Sequence, residues 1–210
     1  MMLDAVRVVA ITDRILMGDG WPDDFGAAIE RAVHGCPPGS VLIQVREKDL
    51  DGQRLLDLIR CARRFARVIV NDRVDVALAA DAIAVHLPED GISVADARSL
   101  LQDSIGQGVI GVSRHTTDGL ADTGADLVHL GPIWKTPSKP DVPALGLAVL
   151  GAPHGTSKLV AVGGIDTPDK AREAARAGAD AVAVIRAAWS GESLVNFVTA
   201  VEQGIALRSP

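Results

Sequence analysis

The sequence predicts an α/β protein folded as a single (β/α)8 barrel over residues 1–210, and three observations lead there. Eight short apolar runs alternate with segments of helical periodicity. Those runs are near-continuous in Val, Ile, Leu and Ala, the pattern of parallel strands covered on both faces. No run carries the charged guard that the edge strands of an open sheet need, which disfavours the alternative, a doubly wound open sheet. With 210 residues and 48% hydrophobic content, the chain is long enough to bury one sizeable core.

Val6 to Thr12 reads as the first strand, followed by a helix from Trp21 to Val33 with Pro22 in its tolerant first turn. The run from Cys36 to Ser40 breaks the chain. Val41 to Glu47 is the second strand. Its end alternates, so that Gln44, Arg46 and Lys48 share a face opposite Ile43 and Val45. Asp51 to Ala66 places Leu55, Leu58, Ile59 and Ala62 at helical spacing. Val68 to Asn71 is a strand, Val74 to Ala80 a brief helix, Ala82 to Leu87 a strand and Val94 to Gln102 a helix.

Val109 to Arg114 is the fifth strand, with Thr116 placed to cap a helix behind it. Leu127 to Gly131 is the sixth, leading into an irregular stretch from Pro132 to Pro143; a short helical turn near Leu145 to Leu150 follows. Lys158 to Val162 is the seventh strand. After it, Asp166 or Thr167 caps a helix from Pro168 to Ala177 that Gly178 closes. Ala181 to Ile185 and Ser193 to Leu207 are the last strand and helix.

Composition removes several classes of function. Tyrosine is absent and other aromatics are few, which leaves no stacking platform for bases, and a net charge of −6 opposes nucleic acid or an acidic membrane. Cys36 and Cys61 match no metal or redox spacing and suit a reducing cytoplasm. Neither a signal peptide nor an apolar run of membrane-spanning length is visible.

In a (β/α)8 barrel the site lies at the carboxyl ends of the strands. Those ends carry Asp13; Gln44, Arg46 and Lys48; Asn71 and Asp72; and His86, Glu89 and Asp90. They also carry Ser113, Arg114 and His115; Thr136, Ser138 and Lys139; Gly163 and Gly164; and Arg186. Cations, hydroxyls and a Gly-Gly turn before a capped helix suit phosphate groups. Asp72 and Asp90 are hard oxygen ligands of the kind Mg²⁺ takes beside substrate phosphates. A tight turn and two helix caps are the plainer readings of the glycines and of an isolated aspartate. Arg60, Arg63, Arg64 and Arg67 read as a solvated helix face.

QVREKD from Gln44, VNDRVDVAL from Val70, VHLPED from Val85 and GVSRHT from Gly111 form an ordered set. GPIWKTPSK from Gly131, VAVGGI from Val160 and AGADAVAVI from Ala177 continue it. The set resembles the thiamine phosphate synthase and thiazole tautomerase superfamily across nearly the whole chain. For the synthase branch, the resemblance implies joining hydroxymethylpyrimidine diphosphate to a thiazole phosphate, with release of diphosphate. It implies that Gln44 meets the pyrimidine or diphosphate, that Arg46, Lys48 and Lys139 hold the diphosphate, and that Ser113 touches one of the two. Asn71 would sit beside Mg²⁺, with Asp72 and Asp90 as its ligands. Thr136, Ser138 and the Gly163-Gly164 turn would take the thiazole phosphate, with Arg186 in the last phosphate turn.

Four positions depart from the synthase pattern: the shortened His86 to Asp90 turn, Ser138 for threonine, Arg186 for a small serine, and His129 on the sixth strand, expected as a core histidine with a backbone partner. The shortened turn resembles the tautomerase branch, where the histidine matching His115 shuttles a proton and no metal is needed. A non-catalytic thiazole phosphate binder, with Arg186 filling the pocket, is the third alternative. Partners are expected to be the two phosphorylated heterocycles, with a homodimer left open.

Overall fold

Eight parallel strands close into a barrel in chain order. The computed structural model describes residues 3–18, 23–82, 84–105, 108–138, 140–191 and 193–208. The strands are β1 Val8–Ile11, β2 Val41–Val45, β3 Arg67–Asn71, β4 Ala84–Leu87, β5 Val109–Arg114, β6 Leu127–Leu130, β7 Lys158–Val162 and β8 Ala181–Val184. The ring closes where Val8 pairs with Val182 and Ala10 with Val184. This is the closure expected from strands that lack an edge guard.

Around the barrel lie α1 Arg14–Met17, α2 Asp23–Val33, α3 Gly52–Ala62, α4 Val74–Ala79, α5 Val94–Ile105, α6 Pro168–Ala177, α7 Arg186–Trp189 and α8 Leu194–Ala206. Asp51 caps α3 by accepting the Arg54 N–H, and Thr167 caps α6 by accepting that of Lys170. Trp21 and Pro22, expected to open the first long helix, lie outside the described residues. No described helix is long and apolar enough to cross a membrane.

Strand parity divides the core in two. Ile43, Val45, Val70, Val128 and Leu159 point outward and pack under Ile29, Leu58 and Phe197 of the helices. Val9, Ile11, Leu42, Ile69, Leu127 and Val160 point inward and fill the barrel. The helical shell is tight where α8 crosses α6. A Cβ on Gly204 would stand 2.4 Å from the Arg172 carbonyl oxygen and 2.7 Å from the Ala175 Cβ. Gly204→Val is therefore expected to destabilise the fold by about 2–3 kcal/mol, read as a lower urea midpoint at unchanged slope. An unchanged midpoint would show that the two helices separate freely.

Several elements differ from the expectation. β2 ends at Val45, so Arg46 and Lys48 stand past the strand and are exposed. α3 stops at Ala62 because residues 63–66 turn away, with the Arg63 guanidinium donating to the Ala80 carbonyl. Behind β5 there is only a 3₁₀ turn, Leu120–Asp122, set between Gly119 and Gly124 in the left-handed region. Thr116 there accepts the Asp118 N–H instead of capping an α-helix. The four-residue helices α1 and α7 carried no periodic signal. Trp189 of α7 rests against the core and donates to the Ile11 carbonyl at 2.9 Å, tying the end of the barrel to its start.

Candidate active site

The site is built in two layers at the carboxyl end of the barrel. The lower layer is polar where an apolar filling would be ordinary. Gln44, His86 and His129 follow Leu42, Ala84 and Leu127 by two residues, so they point inward as well. They are 2%, 2% and 3% exposed. Gln44 Nε2 donates to Asn71 Oδ1 at 3.0 Å, and His86 Nε2 lies 2.9 Å from Ser113 Oγ. The His86 and His129 rings meet at a centroid distance of 4.1 Å, tilted by 40°. They come from β4 and β6, across β5, and Gly111 on β5 pairs with His86. A Cβ at Gly111 would stand 2.6 Å from His86 Nδ1, so only glycine leaves room for the ring.

His129 does not have the backbone partner expected for it: its Nε2 is buried without any partner, as are His86 Nδ1 and Gln44 Oε1. Burial holds both imidazoles neutral. It pushes His86 down to about 3, with the nearby Arg46 charge adding to the effect. It pushes His129 well below its ordinary value, with His86 adding. An unfolded imidazole titrates near 6.5. The unfolded chain therefore binds protons below that value when the folded chain does not. Stability from these rings is therefore full above about 6.5 and is lost as the pH falls below it, for His86 until about 3. His129→Leu is expected to shrink the stability difference between pH 7 and pH 5, measured by urea unfolding. An undiminished difference would place the acid sensitivity elsewhere.

The upper layer is the rim. Arg46 donates its backbone N–H to Thr12 Oγ1 at 2.9 Å, and its charge is felt at His86. The alternation of Q-V-R-E-K-D continues past the strand, because Glu47 and Asp49 are both taken by Arg14. The Arg14 guanidinium holds Asp49 through two bonds of 2.7 and 2.6 Å, and both its backbone N–H and its guanidinium reach Glu47. Burial pushes the Glu47 carboxyl up, against bonds from Thr12 and Arg14 that pull it down. With both acids engaged by Arg14, Arg46 and Lys48 remain without an acidic partner among the described residues.

Asp72 follows Asn71 in a left-handed conformation, φ 67°, unusual for a non-glycine residue. Among the described residues, ion pairs take Glu47, Asp49, Asp51, Asp75, Glu89, Asp126, Asp166, Asp169 and Asp180, but neither Asp72 nor Asp90. Both are exposed carboxylates, and no group of three His, Cys, Asp or Glu side chains forms a protein-only metal cage among the described residues. His115 Nδ1 bonds Glu89 Oε2 across two loops. Partial burial raises the Glu89 carboxyl, but its bonds with His115 and the Arg114 charge lower it on balance.

The other half of the rim comes from β6 to β8. Gly163 and Gly164 adopt φ 97° and 71°, and the loop after β6 lies directly on them: Trp134 N–H donates to Gly163 O at 3.1 Å. Lys170 in the first turn of α6 braces this turn. It bonds Gly164 O at 3.0 Å and Asp166 at 2.8 Å, and lies 5.8 Å from the Trp134 ring centroid. Trp134 is partly buried and packs against the core. Thr136, half-buried, and Ser138, exposed, lie in the same loop, with Thr136 Oγ1 accepting the Ser138 N–H. Arg186 is exposed and reaches Ser138 Oγ at 3.4 Å, so the arginine stands beside the loop after β6. Lys139 lies outside the described residues.

Sequence reasoning missed Arg14, the His86–His129 pair and Lys170. Parity alone put the two histidines inside; the contact between them needs the closed ring. Asp126 and Asp180 anchor strand starts at the opposite face by accepting the Ile110 and Leu159 N–H groups.

The chain matches the family described as thiamine monophosphate synthase over residues 8–188. It is 41% identical over 197 residues to a putative thiamine-phosphate synthase of Geobacter sulfurreducens, covering 84% of each chain. It is 38% identical over 179 residues to a thiamine-phosphate synthase of Chloroflexus aurantiacus, covering 80% of this chain and 79% of that one. The solved structure of a thiamine phosphate pyrophosphorylase from Pyrococcus furiosus superposes with a TM-score of 0.79 at 26% identity, covering 98% of this chain and all of the other.

Proposed function

This chain belongs to the thiamine monophosphate synthase family, and from that premise we propose that its rim joins hydroxymethylpyrimidine diphosphate to thiazole phosphate, giving thiamine phosphate and diphosphate. It is a transferase. The observation that carries the site assignment is the polar layer itself: Arg46 stands over Gln44, Asn71, His86 and Ser113, a donor-rich floor where a barrel of this size is ordinarily apolar.

The chemistry follows from that charge. The bond between the pyrimidine methylene carbon and the diphosphate oxygen breaks, and its electron pair leaves with diphosphate. Arg46, Lys48 and Lys139 stabilise the negative charge that grows there. The thiazole nitrogen then supplies the electron pair for the new C–N bond. Thr136, Ser138, the Gly163-Gly164 turn and Arg186 hold the thiazole phosphate so that this nitrogen faces the methylene carbon, and positioning contributes much of the rate. Gln44 lies beneath the rim with its Oε1 buried, so it acts on the substrates through its bond to Asn71. Asp72 and Asp90 would hold Mg²⁺, which when bound supplies Lewis-acid neutralisation of the diphosphate.

The test is to incubate the protein with both phosphorylated halves and Mg²⁺ and to follow diphosphate release. Absence of release overturns the reading; release that persists in Asp72→Ala overturns the metal assignment. The bond between His115 and Glu89 favours a second activity, proton transfer on the thiazole. It would appear as deuterium uptake into thiazole phosphate without the pyrimidine, lost in His115→Gln.

A further inference from the structure

Two buried groups beneath the rim, His86 Nδ1 and Gln44 Oε1, have no hydrogen-bond partner, while the other polar end of each side chain bonds a rim residue. A neutral imidazole carries one N–H, on one nitrogen or the other. Were it on Nδ1, a buried donor would face no acceptor, hard against Gly111. Were it on Nε2, only an empty lone pair would be buried, and orphaned N–H groups are the rarer and costlier of the two. His129, stacked on the ring, holds its plane in place.

We infer that His86 is a positioning residue for Ser113: its Nε2–H donates to the Ser113 hydroxyl oxygen, which directs the hydroxyl proton outward to a substrate oxygen. The inference rests on reading the rim as a diphosphate site. In the opposite tautomer the serine proton would be consumed by His86, and Ser113 would offer the substrate only lone pairs. Gln44 and Asn71 repeat the arrangement. Gln44 donates its amide N–H to Asn71 Oδ1, leaving the Asn71 NH₂ as the group available to a ligand. The reverse orientation would bury the Gln44 NH₂ without an acceptor. Both lower-layer groups therefore donate upward, and both rim groups present donors. That polarity suits the oxygens of an anion.

The tautomer is read directly by ¹⁵N NMR of histidine-labelled protein, which needs no turnover. The Nε2–H form of His86 is expected; the Nδ1–H form overturns the inference whatever the enzyme does. Absence of diphosphate release in the unmodified chain would instead overturn the synthase reading and leave the tautomer result standing. In kinetics, His86→Leu is expected to lower kcat for diphosphate release about tenfold, with KM for thiazole phosphate unchanged. His86→Gln, which restores an N–H at the reach of Nε2, is expected to recover most of the loss. The double variant His86→Leu/Ser113→Ala should lose no more than Ser113→Ala alone. Additive losses, or no recovery with glutamine, contradict a role exerted through Ser113. If His86→Leu does not fold, the glutamine variant and the NMR spectrum decide.

Discussion

Arg46→Gln is expected to slow diphosphate release about 100-fold or more, because it removes a cation from beside the leaving group without removing the hydrogen-bonding reach of the side chain. The backbone of residue 46 stays bonded to Thr12, and Arg14 still holds Glu47 and Asp49, so the segment keeps its path. Steady-state kinetics with both substrates provides the measurement. A rate within threefold of the unmodified enzyme would remove Arg46 from the site. The same variant carries a second signature. The Arg46 charge helps hold His86 neutral, so in Arg46→Gln the His86 ring should titrate at a higher pH.

Gly164→Ala should damage both stability and binding of the thiazole half. Its φ of 71° disfavours an L side chain, and a Cβ would lie 2.6 Å from the Trp134 Cβ and 2.8 Å from the Lys135 carbonyl oxygen. The backbone conformation alone costs about 1–2 kcal/mol, and the clash adds to it, for a total near 2–4 kcal/mol. Gly119 separates the two causes. Its φ is 65°, but nothing stands within 4 Å of a Cβ there. Gly119→Ala should therefore show the conformational cost only, with KM for thiazole phosphate unchanged, while Gly164→Ala raises that KM at least about tenfold. Equal behaviour of the two variants in denaturation and kinetics would show that the loop after β6 yields to the methyl group.

The barrel was legible because burial on both faces writes itself as unbroken apolar strands, and because closure explains the missing edge guards. The rim was legible because it follows from strand ends. What parity could not reveal was where β2 stops. It ends one residue after Gln44, so residues that share a face on paper separate in space, with Gln44 in the floor and Arg46 above it. Arg14 was invisible because its partners Glu47 and Asp49 lie more than thirty positions away in sequence. The meeting of His86 and His129 depends on Gly111, a residue on a third strand whose significance is an absence of side chain. The 3₁₀ turn before β6 escaped notice because a threonine followed by polar residues signals a cap whether or not a helix follows.

No hydrogen bond among the described residues joins Arg46, Asn71 and Ser113 to Ser138, Gly163, Gly164 and Arg186. Each half of the mouth is preassembled by its own bonds. Free-energy changes made in one half should therefore add to those made in the other while the mouth is empty. Synergy between the two substrates, where it arises, is then expected to pass mainly through the molecules bound there.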